Sequence, residues 1–267
     1  MNILDQIIAH KKVEVAERKS LYPVKLLEQS IYFPSPVVSL KKYVQREDKS
    51  GIIAEIKRKS PSKGDINPYV SVERTSIGYM QAGASALSIL TDKKFFGGVN
   101  EDLMLARKFN FCPILRKDFV VDEYQIIEAK SIGADAILLI AAALDPKEIA
   151  SLASVARSLQ LEILLEVHNE QELQDNLNAE VDLIGVNNRD LKSFVTDIEI
   201  SMRLASLIPN HVVKVSESGI EKTETIIALK KYGYQGFLMG QNFMQHSRPE
   251  KACKEFIDEL NRLEGKL

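Results

Sequence analysis

The chain of 267 residues is 45% hydrophobic and 27% charged, and its formal net charge at pH 7 is −2. This composition is ordinary for a soluble globular protein, and a net charge so near zero argues against a nucleic-acid partner. No apolar run approaches the roughly 18 residues that a membrane-spanning helix needs, so we expect no membrane partner either.

The first residues and the cysteines indicate the compartment. The chain begins MNILD, without the basic region and apolar core of a signal peptide. Cys112 and Cys253 lie far apart, and Cys112 stands inside an apolar run, which favours free thiols in a reducing compartment over a disulfide framework. We therefore expect a cytoplasmic protein.

The leader of the chain has a helical pattern. Apolar side chains recur at roughly helical spacing over residues 2–20, and a second short helix is predicted at Val24–Gln29. Two prolines and the charged run of residues 45–50 separate this leader from the rest. Because ~50 residues would be marginally stable alone, we predict that residues 1–48 are an N-terminal extension packed on a catalytic domain of residues 49–267.

From residue 51 onward, short aliphatic runs alternate with amphipathic helical stretches. The predicted strands are Ile52–Lys57, Ala84–Leu90, Cys112–Arg116, Ala134–Ile140, Leu161–Val167, Leu183–Val186, Val212–Val215 and Phe237–Met239. The predicted helices are Val72–Ala82, Glu101–Phe109, Glu123–Ile132, Pro146–Leu159, Glu170–Asn178, Ile198–Leu207, Glu221–Lys231 and Pro249–Leu263. Asp145 before Pro146 is a helix-start signal, and Gly133 is a helix-stop signal.

Eight strand–helix units predict an α/β protein, a single (β/α)8 TIM barrel with an N-terminal helical extension. A doubly wound sheet is the alternative, because alternation alone does not exclude it. The count of eight and the polar residues at many strand ends favour the barrel. The first predicted strand is followed by neither a Gly-x-Gly-x-x-Gly sequence nor a Walker loop, so a nucleotide-binding fold lacks its usual motif.

The C-terminal ends of barrel strands carry the chemistry of this fold. Side chains alternate along a strand, so Glu55 and Lys57 point the same way, and Lys117 shares the face of Leu115. A carboxylate and an ammonium at the end of a buried strand are costly unless they are paired or functional. The charged and amide residues at these ends are Glu55, Lys57, Lys117, Glu166, Asn187, Arg189 and Glu217.

Each of these residues also has an ordinary structural interpretation. Glu55 and Lys57 could form a structural ion pair, and Arg189 could pair with Asp190. Lys117 could be a snorkelling surface lysine and Glu166 a solvated carboxylate. Asn187 could be a turn residue, and His168 a surface or capping residue. The joint pattern is harder to explain structurally, because several charged groups converge on one barrel mouth.

The glycines after the last two strands indicate an anion site. Ser218-Gly219 and Gly240-Gln241 follow strands seven and eight, where barrels often bind phosphate through backbone N–H groups. Ser60 and Lys57 could add a hydroxyl and a charge. The alternative is that both glycines only serve tight turns. The residues alone thus favour a phosphorylated small substrate and proton transfer around its carbonyl group, and leave the reaction open.

Five motifs together resemble the indole-3-glycerol-phosphate synthase family, in order over about residues 51–245. They are Glu55–Ser62 (EIKRKSPS), Leu115–Phe119 (LRKDF), Leu164–His168 (LLEVH), Gly185–Leu191 (GVNNRDL) and Val215–Ile220 (VSESGI). The resemblance implies a single (β/α)8 barrel of tryptophan biosynthesis. It also implies conversion of 1-(2-carboxyphenylamino)-1-deoxyribulose 5-phosphate to indole-3-glycerol phosphate, carbon dioxide and water, without a metal or an organic cofactor.

The resemblance also implies roles for matching positions. Lys117 matches the general acid at the ribulose C2 carbonyl oxygen, and Glu166 the acid–base group of the later dehydration. Glu55 and Lys57 match the pair that orients substrate and acid–base groups. The matching substrate-binding residues are Ser60, Phe119, Asn187, Arg189, Glu217 and Ser218, with Phe119 expected on the anthranilate ring. The matching phosphate-binding residues are Lys57, Ser60, Gly219, Gly240 and Gln241.

One position departs from the family pattern, and several properties stay open. After Gly240 the family usually has a short hydroxyl or acidic residue, whereas this chain has Gln241, so only its backbone N–H is expected to contact phosphate. The expected partner is a phosphorylated small molecule. We expect a monomer, and leave open an association with other tryptophan-pathway enzymes.

Three other functions compete with this interpretation. The first is another sugar-phosphate barrel enzyme such as phosphoribosylanthranilate isomerase, which does not need so many charged groups. The second is a Schiff-base aldolase that uses Lys57 or Lys117. The third is a non-catalytic phosphate-binding or regulatory barrel, which has no need of acid–base groups.

Overall fold

The computed structural model describes residues 2–177, 180–191 and 193–266. Within these ranges, eight parallel strands close into a barrel. The strands are β1 Ile52–Ile56, β4 Ala86–Leu90, β5 Ile114–Lys117, β6 Ala136–Ile140, β7 Glu162–Val167, β8 Leu183–Asn187, β9 Val213–Glu217 and β10 Gly236–Met239. Their order around the barrel is β1-β10-β9-β8-β7-β6-β5-β4. The predicted (β/α)8 fold class is confirmed, and each predicted strand is found with its ends shifted by no more than two residues.

Helices cover the outside of the barrel. They are α4 Val72–Gln81, α6 Asn100–Phe109, α7 Glu123–Ser131, α8 Pro146–Ser158, α9 Glu170–Asp175, α10 Glu199–Leu204, α11 Thr223–Lys230 and α13 Pro249–Leu263. The start of α8 is the predicted one, because the Asp145 side chain caps the helix reciprocally with Glu148. Gly133 follows α7 with a φ of 90°, a left-handed conformation suited to glycine. The predicted end of α9 at Asn178 lies outside the described residues.

Sequence reasoning missed the shorter elements. An antiparallel pair, β2 Lys59–Ser60 and β3 Gly64–Asp65, follows β1 above the barrel mouth. Two short helices, α5 Lys93–Phe96 and α12 Gln241–Met244, follow β4 and β10. These pieces are too short to have a readable hydrophobic period.

The core has two layers. Aliphatic residues fill the space between the sheet and the helices. A smaller cluster fills the barrel itself, and Leu115 and Leu164 belong to it. Because side chains alternate along each strand, Lys117 and Glu166 continue these same inward-facing rows at the C-terminal end. The barrel interior therefore changes from aliphatic to charged along its axis.

The N-terminal segment packs on the barrel at both ends. It comprises α1 Ile3–Leu21, α2 Val24–Leu27 and α3 Leu40–Val44. Leu40 and Val44 join the interior cluster from the N-terminal end of the strands. At the other end, Lys11 of α1 is buried, with its Nζ 3.0 Å from Asp92 and 3.0 Å from Asp118. The division into an extension of residues 1–48 and a domain of residues 49–267 stays a prediction. Among the described residues, none of the helices combines the length and apolar character needed to cross a membrane.

Candidate active site

A cavity of about 520 Å³ opens at the C-terminal ends of the strands. Every site residue predicted from the sequence lines it: Glu55, Lys57, Ser60, Lys117, Phe119, Glu166, Asn187, Arg189, Glu217, Ser218, Gly219, Gly240 and Gln241. The closed barrel explains this convergence, because parallel strands end at one rim and their inward rows meet there. The catalytic and binding roles expected of these residues stay predictions.

Glu55 and Lys57 form an ion pair inside the cavity. The Lys57 Nζ lies 2.7 Å from the Glu55 Oε1, as expected for residues two apart on one strand face. Burial opposes ionisation of Glu55, but the ammonium groups of Lys57 and Lys117 outweigh it and hold the pKa of Glu55 below its ordinary value. The Glu55 carboxylate is therefore kept ionised beside Lys57.

Lys117 lies among three carboxyl groups. Its Nζ is 3.3 Å from the Glu166 Oε2 and 3.8 Å from the Glu217 Oε2, and its side chain is only 16% exposed. Burial favours loss of the proton, but Glu166, Glu217 and Glu55 more than offset it and raise the pKa of Lys117 above its ordinary value. The interpretation as a snorkelling surface lysine is wrong. Lys117 holds a proton and presents it to the cavity.

Glu166 and Glu217 are two buried carboxyl groups with opposite tendencies. Burial alone would raise the pKa of Glu166, but Lys117, His168 and Asn187 lower it well below its ordinary value. Burial raises the pKa of Glu217, the carboxylates of Glu166 and Glu55 raise it further, and Lys117 only partly opposes them. Among the described residues, the Glu217 Oε1 has no hydrogen-bond partner. One carboxyl group is thus kept ionised beside another that holds its proton, a separation typical of acid–base sites.

Asn187 and Arg189 connect the wall of the cavity to its rim. The Asn187 Nδ2 donates to the Glu166 Oε1 over 3.2 Å, and the Asn187 Oδ1 accepts from the Arg189 backbone N–H over 3.0 Å. The Arg189 guanidinium donates to the Ser62 Oγ over 2.9 Å and to the Gln241 Oε1 over 3.4 Å. Arg189 therefore links three loops across the mouth. Asn187 is a partner of the charged cluster as well as a turn residue.

The Ser218-Gly219 and Gly240-Gln241 loops need glycine for different structural reasons. Ser218 and Gly219 both have left-handed backbones, with φ of 68° and 74°. This is rare for serine and indicates a tightly determined turn. Gly240 has a different constraint, since a Cβ there would lie 2.5 Å from the Glu55 Oε1. Close approach of Glu55 therefore explains Gly240 without a phosphate, whereas the Ser218-Gly219 turn stays the better candidate for an anion.

Apolar residues form one wall of the cavity. The Phe119 ring packs against that of Phe96, with the ring centroids 5.7 Å apart. Ile3, Leu4 and Ile7 of α1 also line the cavity. Sequence reasoning predicted Phe119 but not the other four, because the apolar spacing of α1 identifies a helix and not the surface on which it packs. The cavity thus has a charged floor, an apolar wall and a polar turn.

The expectation of a surface or capping role for His168 is wrong. Its side chain is 10% exposed, and its ring lies between Glu166 and Glu172. The available signal was that His168 follows Glu166 by only two residues, directly after the end of β7. Its position next to Asn169, the N-cap of α9, masked that signal.

A metal site was not expected from the sequence. Across the ranges 2–177, 180–191 and 193–266, no group of three or more His, Cys, Asp or Glu side chains is arranged to hold a metal ion. The expectation of a reaction without metal or organic cofactor stays a prediction.

Comparisons with known proteins agree on one family. A family model described as "Indole-3-glycerol phosphate synthase" matches residues 4–256. A protein of that name from Bacteroides thetaiotaomicron is 46% identical over 256 residues, covering 96% of this chain and 98% of the relative. One from Campylobacter fetus is 41% identical, covering 96% and 100%, and one from Acidithiobacillus ferrooxidans is 41% identical, covering 96% and 98%.

A solved structure supports the fold alone. The structure described as "Native KDPGal structure" superposes with a TM-score of 0.58 at 12% identity, covering 83% of this chain and 98% of that chain. At this identity the likeness extends to the barrel and not to the site chemistry.

Proposed function

The chain belongs to the indole-3-glycerol phosphate synthase family, and we propose that Lys117, Glu166 and the Glu55–Lys57 pair perform the family's reaction in it. It is a carboxy-lyase of tryptophan biosynthesis. The substrate we propose is 1-(2-carboxyphenylamino)-1-deoxyribulose 5-phosphate, which carries a phosphate, an apolar aryl ring and a ketone. The Ser218-Gly219 turn, the apolar wall and the charged floor suit these three parts.

Ring closure begins at the ketone. Lys117 gives a proton to the C2 carbonyl oxygen, and the resulting electrophilic C2 is attacked by the ring carbon that bears the carboxylate. Loss of carbon dioxide then returns the bonding electrons to the ring and restores aromaticity. The ammonium at the centre of three carboxyl groups supports this role above all, because it is protonated, nearly buried and open to the cavity.

Dehydration completes the indole. The C2 hydroxyl leaves as water and C1 loses a proton, which forms the last double bond of the five-membered ring. Glu166 is proposed to serve this step, since its ionised carboxylate can accept a proton. Glu55 holds Lys57 at 2.7 Å, and this pair orients the reacting part. The Phe119 ring packs on the aryl group, and Asn187, Arg189, Glu217 and Ser60 contact the rest.

The electrostatics disfavour the Schiff-base aldolase alternative. A lysine nucleophile must be neutral, which requires a lowered pKa. The carboxyl groups around Lys117 raise its pKa instead, and Lys57 is paired with Glu55. Borohydride reduction in the presence of substrate should therefore leave the chain unmodified, whereas a covalent adduct would favour the aldolase.

The test of this proposal is the appearance of indole fluorescence when the purified chain meets the aminodeoxyribulose substrate without added metal. We expect turnover by the natural chain and a loss of about 10²–10⁴-fold in Glu166→Gln, the range for a lost acid–base group. Absence of product with the natural chain would contradict the proposed function. A Glu166→Gln variant with near-normal turnover would contradict only the role of Glu166.

We also propose that the chain is a monomer. Its mass of 30.0 kDa can be compared directly with light scattering after size-exclusion chromatography. A mass near twice that value would contradict this part of the proposal.

A further inference from the structure

His168 sits behind the proposed base. Its Nε2 lies 3.3 Å from the Glu166 Oε1, and unlike Glu166 it does not line the cavity. The other oxygen, Oε2, faces Lys117 at 3.3 Å, and Asn187 donates to Oε1 at 3.2 Å. The Glu166 carboxylate therefore has three polar neighbours, and His168, directly after the end of β7, is the one that lies nearest to it in the sequence.

Glu172 holds the far side of the imidazole. Its Oε2 lies 3.2 Å from the His168 Nδ1 and accepts the His168 backbone N–H over 2.8 Å. Its Oε1 accepts from the Asn169 Nδ2 over 2.7 Å, and its own backbone N–H donates to the Asn169 Oδ1 over 2.9 Å. Glu172 is thus fixed at the first turn of α9 and has little freedom to leave the ring.

The two carboxylates determine the state of the ring. A neutral imidazole has a single N–H, so it can donate to only one of two flanking carboxylates, whereas an imidazolium donates to both. Burial opposes the charge, but Glu166 and Glu172 outweigh it and raise the pKa of His168 to about 10. The other charged groups near this ring are Lys117 on β5 and Glu217 on β9.

We propose that His168 is a positioning residue for Glu166, which keeps the carboxylate ionised and in one orientation, while Glu172 holds the imidazole in place. This inference rests on the proposed role of Glu166. Among the described residues, the His168 Nε2 is buried and has no aligned hydrogen-bond partner, so its effect on Glu166 in this state is that of a neighbouring positive charge. Such a charge favours the ionised base that dehydration requires.

His168→Gln tests the inference directly, because glutamine keeps hydrogen-bonding groups and loses the charge. We expect kcat to fall by up to about 10²-fold, the loss that a ~1 Å misplacement of a reacting group can cause, with KM nearly unchanged. The acid limb of the kcat–pH profile should move to higher pH, since Glu166 loses a neighbouring cation. A variant with natural kcat and an unmoved acid limb would show that His168 only ties β7 to α9.

Glu172→Gln provides a second test that leaves every cavity residue in place. Without Glu172 the pKa of His168 should fall from about 10 towards its ordinary value. The kcat of the variant should then equal that of the natural chain near pH 6. As the pH rises above about 7, it should fall towards the kcat of His168→Gln. Glu170→Gln, an exposed residue of the same helix turn, is the matched control and should be unaffected. A Glu172→Gln profile parallel to the natural one would overturn the inference, even if His168→Gln failed to fold.

Thermal melts separate this inference from the proposed function. The raised pKa of His168 means that its charge stabilises the fold at pH values below about 6.5 and that this stabilisation is lost as the pH rises through about 10. The melting temperature of the natural chain should therefore exceed that of His168→Gln near pH 6 and approach it near pH 10.5. A difference independent of pH would overturn the inference whether or not the chain makes indole-3-glycerol phosphate.

Discussion

Strand β5 separates two buried charge clusters that behave differently. Lys117 faces the barrel interior, while its neighbours Arg116 and Asp118 face outward towards α1 and α7. The inner cluster is Glu55, Lys57, Lys117, Glu166 and Glu217. The outer network is Lys11, Asp92, Arg116, Asp118 and Glu128. Both are nearly inaccessible to solvent, so the difference between them lies in how completely their charges are paired.

The outer network pairs its charges closely, although the Asp92 Oδ2, 3.0 Å from the Lys11 Nζ, has no aligned hydrogen-bond partner among the described residues. The Arg116 guanidinium donates to Glu128 over 2.6 Å, to Asp118 over 3.3 Å and to the Gln125 carbonyl over 2.7 Å. Thr91 donates to Asp118 over 2.7 Å. Although burial opposes ionisation, Lys11, Arg116 and Thr91 hold the pKa of Asp118 below its ordinary value. Arg116 and Arg18 do the same for the pKa of Glu128. A network of this kind fixes the position of α1 against the barrel.

The inner cluster does not compensate the charge that Glu217 would carry if ionised, so this carboxyl group holds its proton. The Glu217 Oε1 lacks a partner among the described residues, and the pKa of Glu217 is raised while that of Glu166 is lowered. A buried carboxyl group without full pairing lowers the stability of the fold. Such groups are found mainly at functional sites, where the reaction requires them. The comparison therefore predicts opposite consequences for removing a lysine from each cluster.

Lys117→Met should have the largest effect on turnover, a loss of about 10²–10⁴-fold, because the substrate carbonyl loses its acid. The same variant should lose little stability, since Glu166 and Glu217 line the cavity at the strand ends and can take up a proton. Indole fluorescence and urea denaturation measure the two effects. Lys94→Met, an exposed residue of α5, is the control. A Lys117→Met variant that loses stability as much as activity would remove the distinction between the clusters.

Lys11→Met should produce the reverse result. Asp92 and Asp118 are both buried, each 3.0 Å from the Lys11 Nζ, and neither lines the cavity at the strand ends. Leaving such carboxylates unpaired costs about 3–5 kcal/mol of unfolding free energy, measurable by urea denaturation. Lys12→Met, the exposed neighbour on α1, should change it by less than about 0.5 kcal/mol. Equal stability of the two variants would mean that Lys11 does not anchor α1.

The two clusters also differ in how far the sequence predicts them. Lys117 and Glu166 follow aliphatic partners on their own strands, so the period of two identifies their common face and the barrel brings them together. Lys11 stands among charged residues on α1, where a lysine is most often exposed. Its burial depends on contacts with Asp92 and Asp118, which lie about 80 and 107 positions further along the chain. A local hydrophobic pattern cannot predict contacts between such distant residues. Local patterns thus predict the strands and the inner cluster, but not the surface on which α1 docks.

Glu217→Gln should have the smallest effect of the three variants. It tests whether the incomplete pairing of Glu217 lowers the stability of the fold. A carboxyl group whose pKa is higher in the folded chain than in the unfolded chain binds its proton more tightly when folded. The natural chain therefore loses stability as the pH rises from about 4.5 through neutrality, and glutamine, which does not titrate, removes that loss.

We accordingly expect Glu217→Gln to be about as stable as the natural chain near pH 5 and more stable near pH 8, by about 1–2 kcal/mol. Urea denaturation at the two pH values measures this difference. Glu221→Gln, an exposed residue lining the same cavity, controls for the loss of one charge and should show no such gain. A Glu217→Gln variant that is less stable at pH 8 than at pH 5, relative to the natural chain, would mean that Glu217 is ionised and well paired. The charges of the inner cluster would then be paired as completely as those of the outer network. Incomplete charge pairing could no longer distinguish the catalytic cluster from the structural one.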